Sequence, residues 1–405
     1  MANSLSITDR VLKEAQRIAH EKLSFIGTTD LQYDESFKYD SMRGPNGQSL
    51  RVREPNQYTR RKGSRVMDVQ DQEESTQTIT VATQDGVDMR FNSAELIQSV
   101  SSDGAFDALS KKYIEPAVAV LCSGIESDFI TYATKKTYNV AGTSGTPVTT
   151  LVAPGAARAK LNQGLAPKDG NRCIQMDSVT MGGLVNGVAA YFNPSKDISS
   201  QFREGLVART SMADYYENDR MYSHANSSDV TGLAINQASF VNGLSTLTID
   251  GASVAPTVGS VFTIDSVFAV HPETKVAYSH LQQFVVTDTV TPTTTSISIS
   301  PAIYWTGAKQ NVSASPADND AFVFVGAATT SIVQNLMYHK EAFQFVTADL
   351  PIMDDAHKSA RSVNEGMSMR IWQGSDIRND ELLMRIDILY GMAALRPAWA
   401  SRVTN

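Results

Sequence analysis

The sequence predicts an α+β protein with an all-β module inserted into a mixed body, and three features carry that expectation. Apolar residues at helical spacing mark one helix near the N-terminus and a longer one beyond residue 106. Strand-like alternation fills residues 32–91 and returns after residue 229. In the second β stretch the charge falls away. Residues 231–320 hold eight charged side chains (Asp250, Asp265, Glu273, Lys275, Asp288, Lys309, Asp318, Asp320), and no arginine occurs from 221 to 360, although charged residues make up 19% of the 405-residue chain. A shift that abrupt predicts a separate module at 229–330.

The first element is a helix that Ser6 or Thr8 can cap, with Val11, Leu12, Ala15, Ile18, Ala19 and Leu23 in one apolar stripe. That stripe must pack on the chain's own body or on a neighbouring subunit; spacing alone allows both. The extended region follows, with "QSLRVREP", "TQTITVAT" and "GVDMRF" as strands and Asp85-Gly86 as a two-residue hairpin signal. Between the first two strands stand Arg51, Arg53, Arg60, Arg61, Lys62 and Arg65, then Asp68, Asp71, Glu73 and Glu74. Few large apolar residues interrupt them, so the stretch predicts a protruding charged hairpin. Three uses fit it: a solvated loop, a nucleic-acid patch, or a contact between identical subunits. The acids that follow at once, and the lack of interleaved aromatic residues, disfavour nucleic acid.

Asn92 and Glu95 form a capping box before a short helix. The long helix is expected over Phe106 to Lys135, where Leu109, Tyr113, Ala117, Leu121, Ile125 and Phe129 recur every four residues; Pro116 predicts a kink or a late start. "AARAKLNQGL" and "VTMGGLVNGVAAYF" are helical by pattern and "RCIQMDS" is a strand. After the module, "TTSIVQNLMYHKEAFQFVT" carries a helical signal. Met384, Ile386, Ile388 and Tyr390 then share one face of a strand near the chain end, which predicts an interior strand, with Arg385 and Asp387 on the other face as a buried pair or a subunit contact. The second of these two is favoured.

Several functions lose support. A net charge of −8 and a pI near 5.3 argue against a dedicated nucleic-acid binder. No Walker loop, GxSxG elbow or HExxH is present, the six histidines are scattered, and Cys122 and Cys173 form no CxxC. Neither catalysis, metal nor cofactor is therefore expected. No apolar run is long enough for a membrane span, and "MANSLSITDRVLKEA" lacks a signal-peptide core, which predicts a soluble cytosolic product with free thiols.

The order of segments resembles the major capsid (coat) proteins of tailed bacteriophages with the Hong Kong 97 (HK97-like) fold, above all podovirus coat proteins with an inserted I-domain. The stretches that carry it are "LQYDESF", "GQSLRVREPNQYT", "KKYIEPAVAVL", "GSVFTIDSVFAVHPETK", "LQQFVVT", "SASPADN", "QNLMYHKEAFQFVTADLP" and "RIDILYGMAALRPAWASR". The resemblance implies an N-terminal arm over 1–31 and an E-loop over 32–80. It implies a P-domain with its spine helix over 81–140, an A-domain beginning at 141–228, an I-domain over 229–330 and a return over 331–405. It places the 384–390 strand in the A-domain sheet. It also implies self-assembly into hexamers and pentamers of a shell, scaffolding and portal proteins as partners, and packaged DNA met without sequence specificity. The alternatives are another virion component, such as a decoration or tail protein, and a β-rich carbohydrate-binding module using Tyr278, Tyr304 and Trp305.

Overall fold

The computed structural model describes residues 7–32, 39–40, 44–45, 49–63, 65–67, 69–70, 75–92, 113–188, 213–290, 296–352, 358–364 and 366–405. The chain forms two compact units, one of residues 1–52, 76–129 and 343–393, the other of 53–75, 130–342 and 394–405.

The first unit is built on one sheet whose strands run Asp30–Gln32, Gln344–Ala348, Glu381–Ala393, Met367–Asp376 and Lys358–Asn364 in spatial order, with Thr83–Asn92 also paired to Glu381–Ala393. Met384, Ile386, Ile388 and Tyr390 are all buried. They lie in this sheet and not in the one that holds residues 172–176, so the expected A-domain placement is corrected. The strand that enters that other sheet is Ala400–Thr404, beyond a short 3-10 turn at Pro397–Trp399. A single expected terminal strand is thus two strands in two sheets.

Helix Ile7–Lys22 packs on Lys358–Asn364 and Met367–Asp376, burying Val11, Leu12, Ala15, Ile18 and Ala19. The N-terminal stripe therefore covers the chain's own body. Val11, Leu12 and Ile18 contribute about 1.5–3 kcal/mol each on burial, which fixes a sixteen-residue helix that would be marginal alone. Gln16 adds direction, donating from Nε2 to Ser362 O at 2.8 Å. A chain of rings fills the core. Phe25 meets Phe129 edge-on at 5.0 Å, Phe129 meets Phe345 at 5.5 Å, and Phe345 stacks on Tyr390 at 5.4 Å.

The long helix is Glu115–Lys136. Pro116 sits in its first turn, where a missing N–H sacrifices no helical hydrogen bond, so the late start is the reading the structure takes. Leu121, Ile125 and Phe129 are buried with Val118 and Cys122, a wider face than the four-residue repeat implies. Glu126 is fully buried on the same helix. It accepts from Phe25 N at 2.5 Å and Ser24 Oγ at 3.2 Å, which caps the short helix Ser24–Thr28. Leu109 and the capping box at residues 92–95 lie outside the described residues, apart from Asn92.

Two further expectations are corrected. Asp85-Gly86 is not a turn but the interior of strand Thr83–Asn92, with Gly86 opposite Asp387. The "TTSIVQNLMYHKEAFQFVT" stretch is two strands, Ile332–His339 and Gln344–Ala348, around a 3-10 turn at Lys340–Ala342. Both are buried on both faces, and a strand without a solvent face shows no alternation to read.

The second unit holds a sheet in the order Val140–Ala141, Ala400–Thr404, Ile332–His339, Arg172–Met176 and Asp214–Glu217, with Ser223–His224 paired to Ile332–His339. Helices Val152–Gln163 and Ser178–Val188 supply Ala157, Leu161, Met181 and Leu184 to the core it shares with Ile174, Met176, Met337 and Val403. The low-charge stretch is a closed six-stranded barrel, from Leu233–Ile235 through Leu244–Asp250, Ser296–Ile303, Ala277–Val290 and Val261–Val270 to Ala321–Phe324. Its interior is a separate core in which Phe262, Phe284, Phe322 and Phe324 interlock. Closure leaves the barrel no free edge to aggregate, so it needs little surface charge for protection.

Candidate functional site

No group of three or more metal-ligating side chains converges among the described residues. What stands out instead is one protruding surface and two buried basic centres.

The surface is the hairpin between strands Ser49–Arg53 and Thr76–Thr80, which pair as a two-stranded ribbon. Polar pins hold it. Glu54 N donates to Ser75 O at 2.9 Å, Ser75 Oγ to Glu54 Oε2 at 2.6 Å, Thr59 N to Gln70 Oε1 at 2.8 Å, and Gln70 Nε2 to Thr59 O at 2.7 Å. Arg51, Arg53, Arg60, Arg61, Lys62 and Arg65 are all exposed, and Arg61 also donates to Val66 O. Asp68, Asp71, Glu73 and Glu74 lie outside the described residues, so no pairing of these charges is on view. Sequence reasoning about charge passed over the apolar residues between them. Val66, Met67 and Val69 are exposed at 77%, 77% and 78%, with Tyr58 at 56%. Three large apolar side chains laid open within four residues are costly in water and mark a contact surface. Their run in "SRVMDVQ" was the available signal.

The first buried centre braces the strand that pairs with Thr83–Asn92. Asp387 is fully buried; it accepts from Arg370 Nη2 at 2.6 Å and from Arg385 Nε at 3.0 Å. Arg370 is itself buried, donates to Pro351 O at 2.8 Å and lies 5.7 Å from the Trp372 ring. Arg361, opposite Arg370 on the adjoining strand, repeats the arrangement, meeting Asp349 at 3.3 Å and Leu350 O at 3.2 Å. Arg385 and Asp387 are therefore a satisfied pair inside one chain, while the Arg385 side chain stays 40% exposed. Gly86 makes it possible: a Cβ there would lie 2.5 Å from Asp387 Oδ1 and 2.7 Å from Ile386 O.

The second centre joins the barrel to the sheet of its own unit. Arg402 is buried, donating from Nε to Thr137 O at 2.9 Å and from Nη1 to Gly259 O at 2.8 Å. Burial lowers its pKa to about 9. Part of its compensation comes from Thr137 O, just past the C-terminus of helix Glu115–Lys136, where the helix dipole favours a cation, and part from Gly259 O in the barrel. His224, beside it, is pushed down to about 4, first by burial and then by the positive charges of Arg402 and Lys135.

The other aromatic candidates have structural work. Trp305 packs against the barrel core, Tyr304 lies against Gly243, and Tyr278 stacks on His280 at 5.3 Å. His339, which looked helical, ends a strand and pairs with Asp169 at 3.1 Å.

Residues 219–401 match the family model described as P22 coat protein, gene protein 5. That span takes in the whole barrel and all but the end of the chain's return through both sheets. The protein is thus a structural one, a major capsid (coat) protein of a bacteriophage shell. Its fold is α+β with an added β barrel, and as a coat protein it associates with copies of itself in the virion. No curated protein sequence matches it. Among solved structures, the chain is similar to one from Mycobacterium phage Che8, at TM-score 0.47 and 9% identity over 88% of this chain and 84% of that one. It is also similar to the capsid of Cyanophage P-SCSP1u, at TM-score 0.45 and 9% identity over 93% and 86%. A third is the mature capsid of bacteriophage PhiM1, at TM-score 0.41 and 11% identity over 93% and 88%.

Proposed function

We propose that this coat protein builds an icosahedral shell of hexamers and pentamers in which the 49–80 hairpin reaches onto a neighbouring copy. Scaffolding and portal proteins act during assembly in the host cytoplasm, and the inner surface meets packaged DNA without reading its sequence. In this reading residues 1–31 are the arm, 32–80 the E-loop, 81–140 the spine-helix domain, 229–330 an I-domain, and 141–228 with much of 331–405 the axial domain.

The observation that carries the hairpin's role is the exposure of Val66, Met67 and Val69 beside six exposed cations. Covering one such apolar side chain contributes about 1.5–3 kcal/mol, and a shell repeats the contact in every subunit. The cations set register and suppress wrong approaches more than they add affinity. Contact energy thus comes from the apolar residues and orientation from Arg60, Arg61 and Lys62.

Two variants test this. Val66→Ser, Met67→Ser and Val69→Ser combined should leave the subunit folded and abolish sedimenting shells. Reversing Arg60, Arg61 and Lys62 to Glu should yield assembly that fails or depends strongly on salt. Normal shells filled with DNA from both variants would remove the hairpin from the contact; normal empty shells from the charge reversal alone would make it a DNA surface.

A further inference from the structure

The barrel and the sheet of its unit each have a complete apolar core, and the contact between them is small. Val140, Val261 and Val285 form a minor apolar cluster with Tyr138 and Val325. Around it the contacts are polar. Gln283 grips the backbone of Val140 in both directions, Nε2 to O at 3.2 Å and Oε1 from N at 2.9 Å. Asn226 donates to Val325 O at 3.0 Å and Gly326 O at 3.1 Å. Arg402 reaches from the sheet to Gly259 O, and His224 from the strand beside it to Ser260 Oγ at 3.0 Å.

The charge balance at this joint is one-sided. Facing His224 are Arg402 from strand Ala400–Thr404, Lys135 from the long helix, Tyr222 on its own segment with ring centroids 6.0 Å apart, and the neutral Ser260 and Asn226. Lys135 Nζ lies 5.3 Å above the Tyr222 ring. No carboxylate acts on His224 or Arg402 among the described residues. Arg402 Nη2 has no hydrogen-bond partner there either, and the one side chain that favours the charged form of His224 is the neutral amide of Asn226. Two cations are tolerated because one meets a carbonyl at a helix end and another in the barrel, and the other cation lies over a ring face. A third, buried between them, would meet only the amide of Asn226, which carries no charge to balance it.

We propose that His224 is an acid-sensitive latch: its protonation places a third positive charge in the joint and releases the barrel from the sheet while both keep their own folds. The linkage has a definite sign. An imidazole of ordinary affinity in the open joint and of depressed affinity in the closed one binds more protons when open, so closure is fully favoured above about pH 6.5 and weakens as pH falls. With the closed value near 4, opening of the joint increases about a hundredfold between pH 7 and pH 4.

Hydrogen exchange on the full chain, read by mass spectrometry and corrected for the intrinsic pH dependence of exchange, tests the latch. Peptides covering 257–263 and 400–404 should lose protection by at least tenfold from pH 7 to pH 4, while the barrel-core peptide 296–303 holds. In His224→Gln, which keeps a polar reach toward Ser260 without a titrating ring, joint protection should not change with pH. Equal pH dependence in both proteins, or none in the parent, overturns the proposal. Should His224→Gln fail to fold, exchange at the imidazole C2 position of the parent decides instead. A His224 midpoint below 5 supports the latch and one near 6.5 overturns it.

Discussion

Asp387→Ala removes the one carboxylate that answers Arg370 inside the first sheet. In the parent, Asp387 takes hydrogen bonds from Arg370 at 2.6 Å and from Arg385 Nε and Nη2 at 3.0 and 2.9 Å. Arg385 is 40% exposed and can turn to water, so its share of the loss is small. Arg370 is 4% exposed and cannot; it would keep Pro351 O and the face of Trp372 as a buried, unanswered cation. Deleting one partner of such a pair costs about 3–5 kcal/mol. Trp372 reports on the site directly, and with Trp305 and Trp399 changed to Phe its fluorescence follows urea unfolding of this region alone. The transition is read as that of its own unit, since a chain of two units need not unfold in one step. At an m-value of about 2–3 kcal/mol per molar, the midpoint should fall by about 1–2 M urea. Arg370→Met with Asp387→Leu, which removes both charges, should recover most of the loss. A single variant whose midpoint stays within about 0.2 M of the parent, or a double variant as damaged as the single, would refute the reasoning.

Two more expectations follow from particular packing. Gly86→Val forces a side chain toward Asp387 Oδ1 and Ile386 O, so it should destabilise the first unit by several kcal/mol, while Gly374→Ala in the same sheet, with nothing within 4 Å of the added methyl, should cost far less; comparing their urea midpoints checks this. Residues 229–330 expressed alone should give a β-type circular dichroism spectrum and a cooperative melt, because the barrel closes on itself around its own phenylalanines; a disordered product would show that the sheet beside it is needed.

The elements with one wet face were legible in the sequence. The Val11–Ala19 stripe and the alternation through the barrel strands expose polar residues at regular intervals, and that contrast is the signal. Where both faces are dry the contrast vanishes, which is why Ile332–His339 and Gln344–Ala348 passed for a helix. Gly86 misled for a different reason. Asp-Gly favours a turn, but here the glycine answers a carboxylate on a strand some three hundred residues further on, a requirement that local pattern cannot carry. Long-range pairing hides the centres as well: Arg370 finds Asp387 across a hairpin, and Arg402 sits in what resembles a polar tail until the strand closes over it. In the hairpin the charges were easy to see, whereas the significance of Val66, Met67 and Val69 emerges only once the fold shows that they have no core to enter.

The central claim is that this chain closes into a shell by contacts with itself. The most direct measurement is electron microscopy of the purified full chain, alone and with a co-expressed scaffolding protein, with sedimentation of the same samples. The account predicts closed particles of uniform size made of many copies, with fivefold and sixfold clusters in their surface. Protein that stays monomeric in both conditions, or that forms only trimers or open rings, would contradict it.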